Sequence, residues 1–196
     1  MSKFSYRITS REIMAKGWSN LTRLVVTRTG PAGETLILDR EVADHGNGAS
    51  VLPYDHHRGT VLLVRQWRAG AAFGGHDPWL LEACAGLLDA DRPEDCVRRE
   101  ALEEIGTALR NIRHVMTIFA SPGAFSERIS LFLADYRPED RIQPGGGLAA
   151  EHEDIEVVEL PLAEALVLIA TGGIVDAKTI ILLQHLEKKV QSRFAD

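Results

Sequence analysis

The sequence of 196 residues has few cysteines and no long apolar run. Its two cysteines, Cys84 and Cys96, form no C-x-x-C pair, which argues against a zinc site. We expect them to be buried thiols in a reducing compartment. The longest apolar runs, such as residues 165–170, are too short to span a bilayer, and the N-terminus shows no apolar signal segment. These absences predict a soluble, cytoplasmic protein that has no membrane partner.

Positive charge is also scarce. Lys and Arg number 22 against 28 Asp and Glu, so the formal net charge is −6. A nucleic-acid polymer needs a basic surface, and we therefore expect no such partner. A small anionic substrate is compatible with this charge if Arg, Lys or a metal ion is concentrated around it. Hydrophobic residues make up 45% of the chain, which suffices for a sizeable core.

The most informative stretch is a predicted helix within residues 85–107. Pro93 suits the first helical position, where its missing N–H would have no partner, and Gly106 can end the helix in a left-handed cap. Val97 and Ile105 belong to an apolar stripe with helical spacing. We therefore expect this side of the helix to pack on a core.

A dense group of acids borders that stripe. Glu100 and Glu104 are one turn apart on the same side, and Glu103 lies beside them, one turn after Arg99. A solvated acidic face is the ordinary interpretation of such a charge run. The alternative is a divalent cation site, because hard cations take oxygen ligands. The acids lie next to the apolar stripe and not opposite it, and a glycine-containing loop precedes the helix, so we favour the metal site.

The same stretch resembles the Nudix box, Gly-x5-Glu-x7-Arg-Glu-(apolar)-x-Glu-Glu-x-Gly-(apolar). The matching positions are Gly86, Arg99, Glu100, Ala101, Glu103, Glu104 and Gly106. Only four residues separate Gly86 from the acidic position, which holds Asp91 instead of Glu, and Thr107 replaces the last aliphatic residue. We interpret the shorter loop as a subfamily feature, because it leaves the helix carboxylates in register.

The resemblance covers most of the chain and implies a hydrolase that uses Mg²⁺ or Mn²⁺. Within the Nudix family the chain resembles the nucleoside-diphosphate-sugar hydrolases, most closely the branch that acts on GDP-mannose. The segments concerned are residues 44–49, 84–89, 121–123, 145–147, 154–157 and 176–179. The implied reaction converts GDP-mannose and water into GMP and mannose 1-phosphate. ADP-ribose hydrolysis is the alternative. A Nudix module that only binds nucleotide sugars is disfavoured, because all three helix glutamates are present.

The pattern of elements predicts an α/β (α+β) fold with a mixed sheet and helices on both sides, which the resemblance refines to the α/β/α sandwich of the Nudix fold. Residues 1–45 are expected to form a small N-terminal antiparallel sheet and residues 46–196 the hydrolase domain. In the related hydrolases such a sheet docks on a partner subunit, so a homodimer is implied. Residues 69–78 are expected to be a loop, and residues 138–153 a mobile loop that closes over the substrate.

The resemblance also assigns the metal-binding and catalytic groups. Metal binding falls to the Ala85 carbonyl, Glu100, Glu104 and Glu153, and catalysis to Arg99, Glu103 and Glu153. Glu103 is expected to be held by Arg99. Glu153 matches the loop glutamate of the family, but Glu151 lies two residues earlier and is an alternative for the same role.

Eight further residues are implied to contact the substrate. They are Trp18, Arg40, Glu41, Arg68, Gly86, Leu87, Glu127 and Lys178. An indole can stack on a purine, but Trp18 is equally compatible with a core or interface position. Without the resemblance, Arg40 and Glu41 would be interpreted as a solvated charge pair, and Arg68 as a solvated strand end.

Overall fold

The computed structural model describes residues 3–148 and 153–192. They form two compact units. The first comprises Met1–Asn47 and Phe119–Arg128, and the second Gly48–Ile118 and Ile129–Asp196. The N-terminal unit thus includes a segment from the middle of the chain. None of the described helices is long and apolar enough to cross a membrane.

The N-terminal unit is built on a three-stranded antiparallel sheet. Its strands, in spatial order, are β1 (Ser5–Lys16), β2 (Asn20–Thr29) and β3 (Thr35–Asp44). The later segment attaches to the end of β3: the Ala43 N–H donates to the Ala124 carbonyl at 2.8 Å, and the Ser126 N–H donates to the Ala43 carbonyl at 3.1 Å. Every residue of β1 is exposed, so this strand contributes no core of its own.

The second unit contains a seven-stranded mixed sheet in its described part. Its strands are β4 (Gly48–Asp55), β5 (Thr60–Trp67), β6 (Trp79–Glu82), β7 (Cys84–Leu87), β8 (Arg110–Phe119), β9 (Arg128–Asp135) and β10 (Ile155–Pro161). The order is β10-β5-β4-β9-β8, with β6 beside β5 and β7 beside β4. Strand β4 pairs in parallel with β9 and antiparallel with β5 and β7. All eight residues of β4 are buried, so it forms the centre of the unit.

Helices cover both faces of this sheet. The described helices are α1 (Ala69–Phe73), α2 (Pro93–Ile105), α3 (Leu162–Thr171) and α4 (Ala177–Ser192), and α2 and α4 pack on opposite faces. Neighbouring β4 residues point to opposite sides: Val51 packs in a cluster with Val97 of α2, whereas Leu52 packs with Leu182 of α4. The predicted sandwich with a mixed sheet and a small extra antiparallel sheet is therefore confirmed.

One local expectation is wrong, and a second is refined by the structure. Residues 69–78 contain the short helix α1, which has no buried residue and no side-chain cap. The loop that begins at Pro138 starts with a 3₁₀ turn, Pro138–Asp140, and its buried Asp140 accepts hydrogen bonds from Arg110. Neither element has the apolar periodicity that predicts a helix from sequence.

Candidate active site

Strand β7 runs beside α2, and a glycine makes this approach possible. A Cβ atom on Gly86 would lie 1.8 Å from Oε1 of Glu100, so the missing side chain leaves room for that carboxylate. The Cys96 thiol of the same helix lies 3.4 Å from the Leu87 carbonyl oxygen. The first glycine of the box motif therefore has a steric role: it leaves space between the strand and the helix for the Glu100 carboxylate.

Glu104 is the most buried acid of the helix, with 2% of its surface exposed. Its Oε2 accepts a hydrogen bond from the Ala85 N–H at 3.1 Å, and the Cys84 thiol is a second donor. Burial is the largest cause that raises the pKa of Glu104. The nearby charge of Glu100 adds to this effect and the two donors oppose it, and the resulting pKa is about 7. Within residues 3–148 and 153–192, no Lys or Arg forms an ion pair with Glu104. A divalent cation would supply the missing positive charge.

Arg99 donates hydrogen bonds to three other acids of the box. Its Nη1 donates to Oε1 of Glu100 at 2.8 Å and to Oε2 of Glu103 at 3.1 Å, and its Nε donates to Oδ2 of Asp91 at 3.3 Å. Burial alone would lower the pKa of Arg99, but Glu100 and Asp91 outweigh it and raise the pKa. Asp91, at the shortened position of the box, is thus part of the same ion-pair network.

Glu153 reaches this cluster from the loop that precedes β10. Burial is the main cause that raises the pKa values of Glu100 and Glu104, and the negative charge of Glu153 raises both further. Oε2 of Glu153 accepts a hydrogen bond from the Leu148 N–H at 3.1 Å. The alternative loop glutamate, Glu151, lies outside the described residues. Glu153 is therefore placed where a loop glutamate could serve the helix carboxylates.

The glycine-rich part of this loop docks on the end of α2. The Gly146 N–H donates to the Glu104 carbonyl at 2.9 Å, which satisfies an acceptor that a helix end leaves unpaired. A Cβ atom on Gly145 would lie 2.6 Å from that carbonyl oxygen, and one on Gly106 would lie 2.0 Å from the Gln143 carbonyl oxygen. The loop and the helix thus meet backbone to backbone. This part of the expected mobile loop is tied to the helix end in the structure.

The donors of this site suit a hard divalent cation by their chemistry. Carboxylate oxygens of Glu100, Glu104 and Glu153 share one neighbourhood, and Glu104 is buried without a cationic partner. Their present rotamers do not form a coordination shell: in the part of the chain that the structure describes, no three acidic, His or Cys groups are gathered to hold a metal ion. Glu100 is paired with Arg99 instead.

A second network surrounds the buried carboxylate of Glu82, on β6. Arg68 donates to it through two parallel hydrogen bonds, from Nε at 2.7 Å and from Nη2 at 2.9 Å, and Lys178 Nζ donates to its Oε2. Lys178 also donates to Asp176 Oδ1 at 2.9 Å. Burial alone would raise the pKa of Glu82, but Arg68 and Lys178 lower it to about 2.

Glu82 thereby joins two of the predicted substrate contacts, Arg68 and Lys178. The charge of Glu104 also raises the pKa of Arg68, so this network adjoins the carboxylate cluster. We did not assign Glu82 a role from the sequence. The available signal was an acid in an otherwise apolar strand, which must be paired when the strand is buried.

The N-terminal unit brings together two more of the predicted contacts. The indole of Trp18 stacks on the ring of His45 with centroids 4.5 Å apart and an angle of 26° between the planes. Nε2 of His45 lies 3.5 Å from Oε1 of Glu127. His45, which connects Trp18 and Glu127, was given no role from the sequence, although it lies within one of the segments that carry the family resemblance.

Arg40 and Glu41 stand apart from this group. Both lie on β3 and are exposed, and Arg40 Nη1 donates to the neighbouring Asp39 carbonyl at 2.7 Å. Among the described residues, no hydrogen bond or ion pair joins either of them to Trp18, His45 or Glu127. Their implied contact with a substrate stays a prediction.

Comparison with known families decides the identity of this fold. Residues 44–183 match the NUDIX domain family. The chain belongs to the Nudix family. The predicted family and hydrolase class are confirmed.

Curated relatives extend over nearly the whole Nudix chain. The GDP-mannose pyrophosphatase of Klebsiella pneumoniae subsp. pneumoniae is 44% identical over 177 residues, which cover 90% of this chain and 88% of the relative. The GDP-mannose pyrophosphatase of Escherichia coli strain K12 is 42% identical over 177 residues, covering 90% and 92%. A crystal structure of an ADP compounds hydrolase has a TM-score of 0.73 and covers 96% of this chain and 95% of its own. Its 16% identity shows a common fold only.

Proposed function

We propose that this Nudix hydrolase cleaves the pyrophosphate bond of a nucleotide sugar, converting GDP-mannose and water into GMP and mannose 1-phosphate. The observation that carries the proposal is Glu104, a buried carboxylate without a cationic partner among the described residues, set among other acids on the box helix. The identity of 42–44% to proteins named GDP-mannose pyrophosphatase supports the choice of substrate.

The box residues would hold a divalent ion, Mg²⁺ or Mn²⁺. Glu100 and Glu104 are its carboxylate ligands in this proposal, and the Ala85 carbonyl and Glu153 complete the set. When bound, such an ion neutralises charge on phosphate oxygens and lowers the pKa of a water molecule. Arg99 orients Glu103 through its hydrogen bond to that carboxylate. Removal of the Arg99 side chain should therefore disturb the position of Glu103 more than the charge of the site.

Arg68 and Lys178 would contact the phosphates or the sugar. Arg68 uses Nε and Nη2 to bind Glu82, while 40% of its side chain is exposed. Among the described residues none accepts a hydrogen bond from its Nη1, which in this proposal donates to a phosphate oxygen. Lys178 is nearly buried and already has two carboxylate partners, Glu82 and Asp176, so it contributes mainly through its charge. Gly86 and Leu87, beside the box helix, are further proposed contacts.

Product analysis tests this function. With Mg²⁺ present, GDP-mannose, ADP-ribose, GDP-glucose and NADH are each incubated with the protein, and the products are separated. We expect GDP-mannose to have the highest kcat/KM and to yield GMP and mannose 1-phosphate. Faster release of AMP and ribose 5-phosphate from ADP-ribose would establish the alternative substrate. Stoichiometric binding of GDP-mannose without any turnover would establish a binding module.

Glu153→Gln is expected to lower kcat far more than it raises KM. The reason is that a loop glutamate acting as metal ligand or base matters chiefly in the transition state. The matched control is Glu151→Gln, which removes the same charge two residues away and should change little. Steady-state kinetics of both variants on one substrate decide the matter. A large kcat defect at Glu151 with none at Glu153 would show that the assignment is two residues out of register.

We further propose that the protein is a homodimer in which the N-terminal sheet contacts the partner copy. A three-stranded sheet buries little surface by itself, and this one exposes large apolar side chains. These are Tyr6, Ile8, Ile13, Met14, Leu36 and Ile37. Light scattering at micromolar concentration should report about twice the chain mass of 21.6 kDa. A monomer with full activity would contradict this proposal.

A further inference from the structure

Ala83 is the junction between the two short strands that carry groups of the site. It follows Glu82, the last residue of β6, and precedes Cys84, the first residue of β7. Strand β6 pairs with β5 and β7 pairs with β4, so the chain passes from one neighbouring strand to the other at this residue. Ala83 is fully buried. Its backbone N–H therefore needs an acceptor inside the protein.

The hydroxyl of Thr179 is this acceptor. The Ala83 N–H donates to Oγ1 of Thr179, in the first turn of α4, at 2.7 Å. The same oxygen lies 2.6 Å from Oδ2 of Asp176. A carboxylate only accepts hydrogen bonds and a backbone N–H only donates them, so the single hydroxyl proton must point to Asp176. The direction of both hydrogen bonds is therefore fixed, and the buried hydroxyl links the helix to the junction.

Asp176 is held in place from its other side. Its Oδ2 also accepts a hydrogen bond from the Thr179 N–H at 3.0 Å, and its Oδ1 accepts one from Lys178 Nζ at 2.9 Å. Lys178 donates in turn to Glu82, which directly precedes Ala83 in the chain. These contacts close a ring through Asp176, Thr179, Ala83, Glu82 and Lys178. The Thr179 hydroxyl thus has little freedom to turn away from the junction.

The strand that leaves this junction leads directly to the box helix. Ala85 lies two residues after Ala83, and its N–H donates to Oε2 of Glu104 at 3.1 Å. Its carbonyl is a cation ligand in the proposed function. Because peptide units are planar and rigid, a shift of the chain at Ala83 is carried over two residues to Ala85. The position of the Ala85 backbone against Glu104 therefore depends on the junction.

We propose that Thr179 is a positioning residue whose hydroxyl fixes the chain at Ala83 and thereby sets the Ala85 backbone against Glu104 for the binding of a divalent cation. The inference rests on the proposed function, because it takes the box residues as the cation site. It adds to that site a residue of α4, which packs on the other face of the sheet from the box helix. Thr179 touches neither substrate nor cation in this scheme.

Two substitutions separate the hydroxyl of Thr179 from its methyl group. Thr179→Val keeps the shape and removes the hydroxyl, whereas Thr179→Ser keeps the hydroxyl and removes the methyl group. Thr171→Val is the matched control, because that hydroxyl donates to the Val167 carbonyl at 3.0 Å within α3. The measured quantity is the dissociation constant of Mn²⁺ without substrate, obtained from the electron paramagnetic resonance signal of free Mn²⁺. Each variant is titrated well below its unfolding temperature.

We expect Thr179→Val to weaken Mn²⁺ binding by about tenfold or more, the effect of removing a group that orients a metal ligand. Thr179→Ser and Thr171→Val should bind Mn²⁺ as the wild-type protein does. If Thr179 served stability alone, Thr179→Val would unfold at a lower temperature but keep its affinity for Mn²⁺, and this would overturn the proposal. Weaker binding by Thr179→Ser than by Thr179→Val would overturn it too, since packing of the methyl group would then decide the affinity.

A second pair of variants keeps the test decisive if Thr179→Val does not fold. Thr179→Ala and Thr179→Ser differ by one oxygen atom, and only the serine variant should retain the affinity for Mn²⁺. Equal affinities of this pair would overturn the proposal. If the wild-type protein itself does not bind Mn²⁺, the metal site of the proposed function fails and the inference fails with it. A wild-type protein that binds Mn²⁺ beside an unaffected Thr179→Val contradicts this inference alone, so the two failures are distinguishable.

Discussion

Glu104→Gln is expected to lower kcat by at least about a hundredfold, the lower end of what one positioned catalytic group contributes. The substitution keeps the size of the side chain and its acceptor for the Ala85 N–H, but it removes the negative charge that a hard cation requires. Because the neutral amide also suits a buried site, we expect the fold to persist. Turnover in metal-saturated buffer and a thermal unfolding curve measure the two effects.

The matched control for this variant lies on the same helix. Glu94 is on the exposed side of α2, where it accepts a hydrogen bond from Arg98 at 2.8 Å. Glu94→Gln removes the same charge from the same helix and should leave turnover nearly unchanged. Near-wild-type hydrolysis by Glu104→Gln at saturating Mg²⁺ would end the interpretation of this helix as the metal-binding element.

Glu82→Gln is expected to lower the free energy of unfolding by about 3 kcal/mol, because removing one partner of a buried ion pair leaves the other charges uncompensated. Those charges are Arg68 and Lys178, which both donate to Glu82 in the wild-type protein. Urea unfolding at neutral pH measures the change. The control is Asp39→Asn, which breaks the exposed pair with Arg23 and should cost less than about 1 kcal/mol. Equal effects of the two substitutions would contradict the buried network.

The Glu82 carboxylate also makes the stability of the folded protein depend on pH. The pKa of Glu82 is about 2 in the folded state against 4.5 for an ordinary glutamate, so folding favours its ionised form. Its contribution to stability is present in full above pH 4.5 and is lost as the pH falls towards 2. Glu82→Gln should therefore show a flatter loss of stability with acid than the wild-type protein, measured by urea unfolding between these pH values. Parallel curves would contradict this assignment.

The sequence predicted the parts of the site that depend on local chemistry. Pro93 and Gly106 mark the two ends of α2 in the structure, because helix starts and left-handed caps are set by residues within the helix itself. The spacing of Glu100 and Glu104 places both on one side, because the helical period is fixed. Their burial follows from the apolar stripe beside them. These predictions needed no knowledge of the tertiary structure.

The remaining parts depend on partners that are distant in the sequence. Glu82 binds Lys178 at a separation of 96 residues. His45 lies close to Glu127, which belongs to the later segment of the N-terminal unit. No local pattern predicts such pairs, because they follow from how strands and loops assemble. Helix α1 could not be predicted for a different reason. It consists of five small or exposed residues and therefore has no amphipathic pattern.

The parallel pairing of β4 with β9 has a consequence for the order in which the chain folds. Strands β1–β3 form a meander of neighbouring contacts, so this sheet can form early during synthesis. Gly48 of β4 pairs with Ile129, about eighty residues later in the chain. Until β9 has left the ribosome, an apolar strand that is destined to be fully buried has an unpaired edge. Aggregation of nascent or refolding chains should therefore begin at β4.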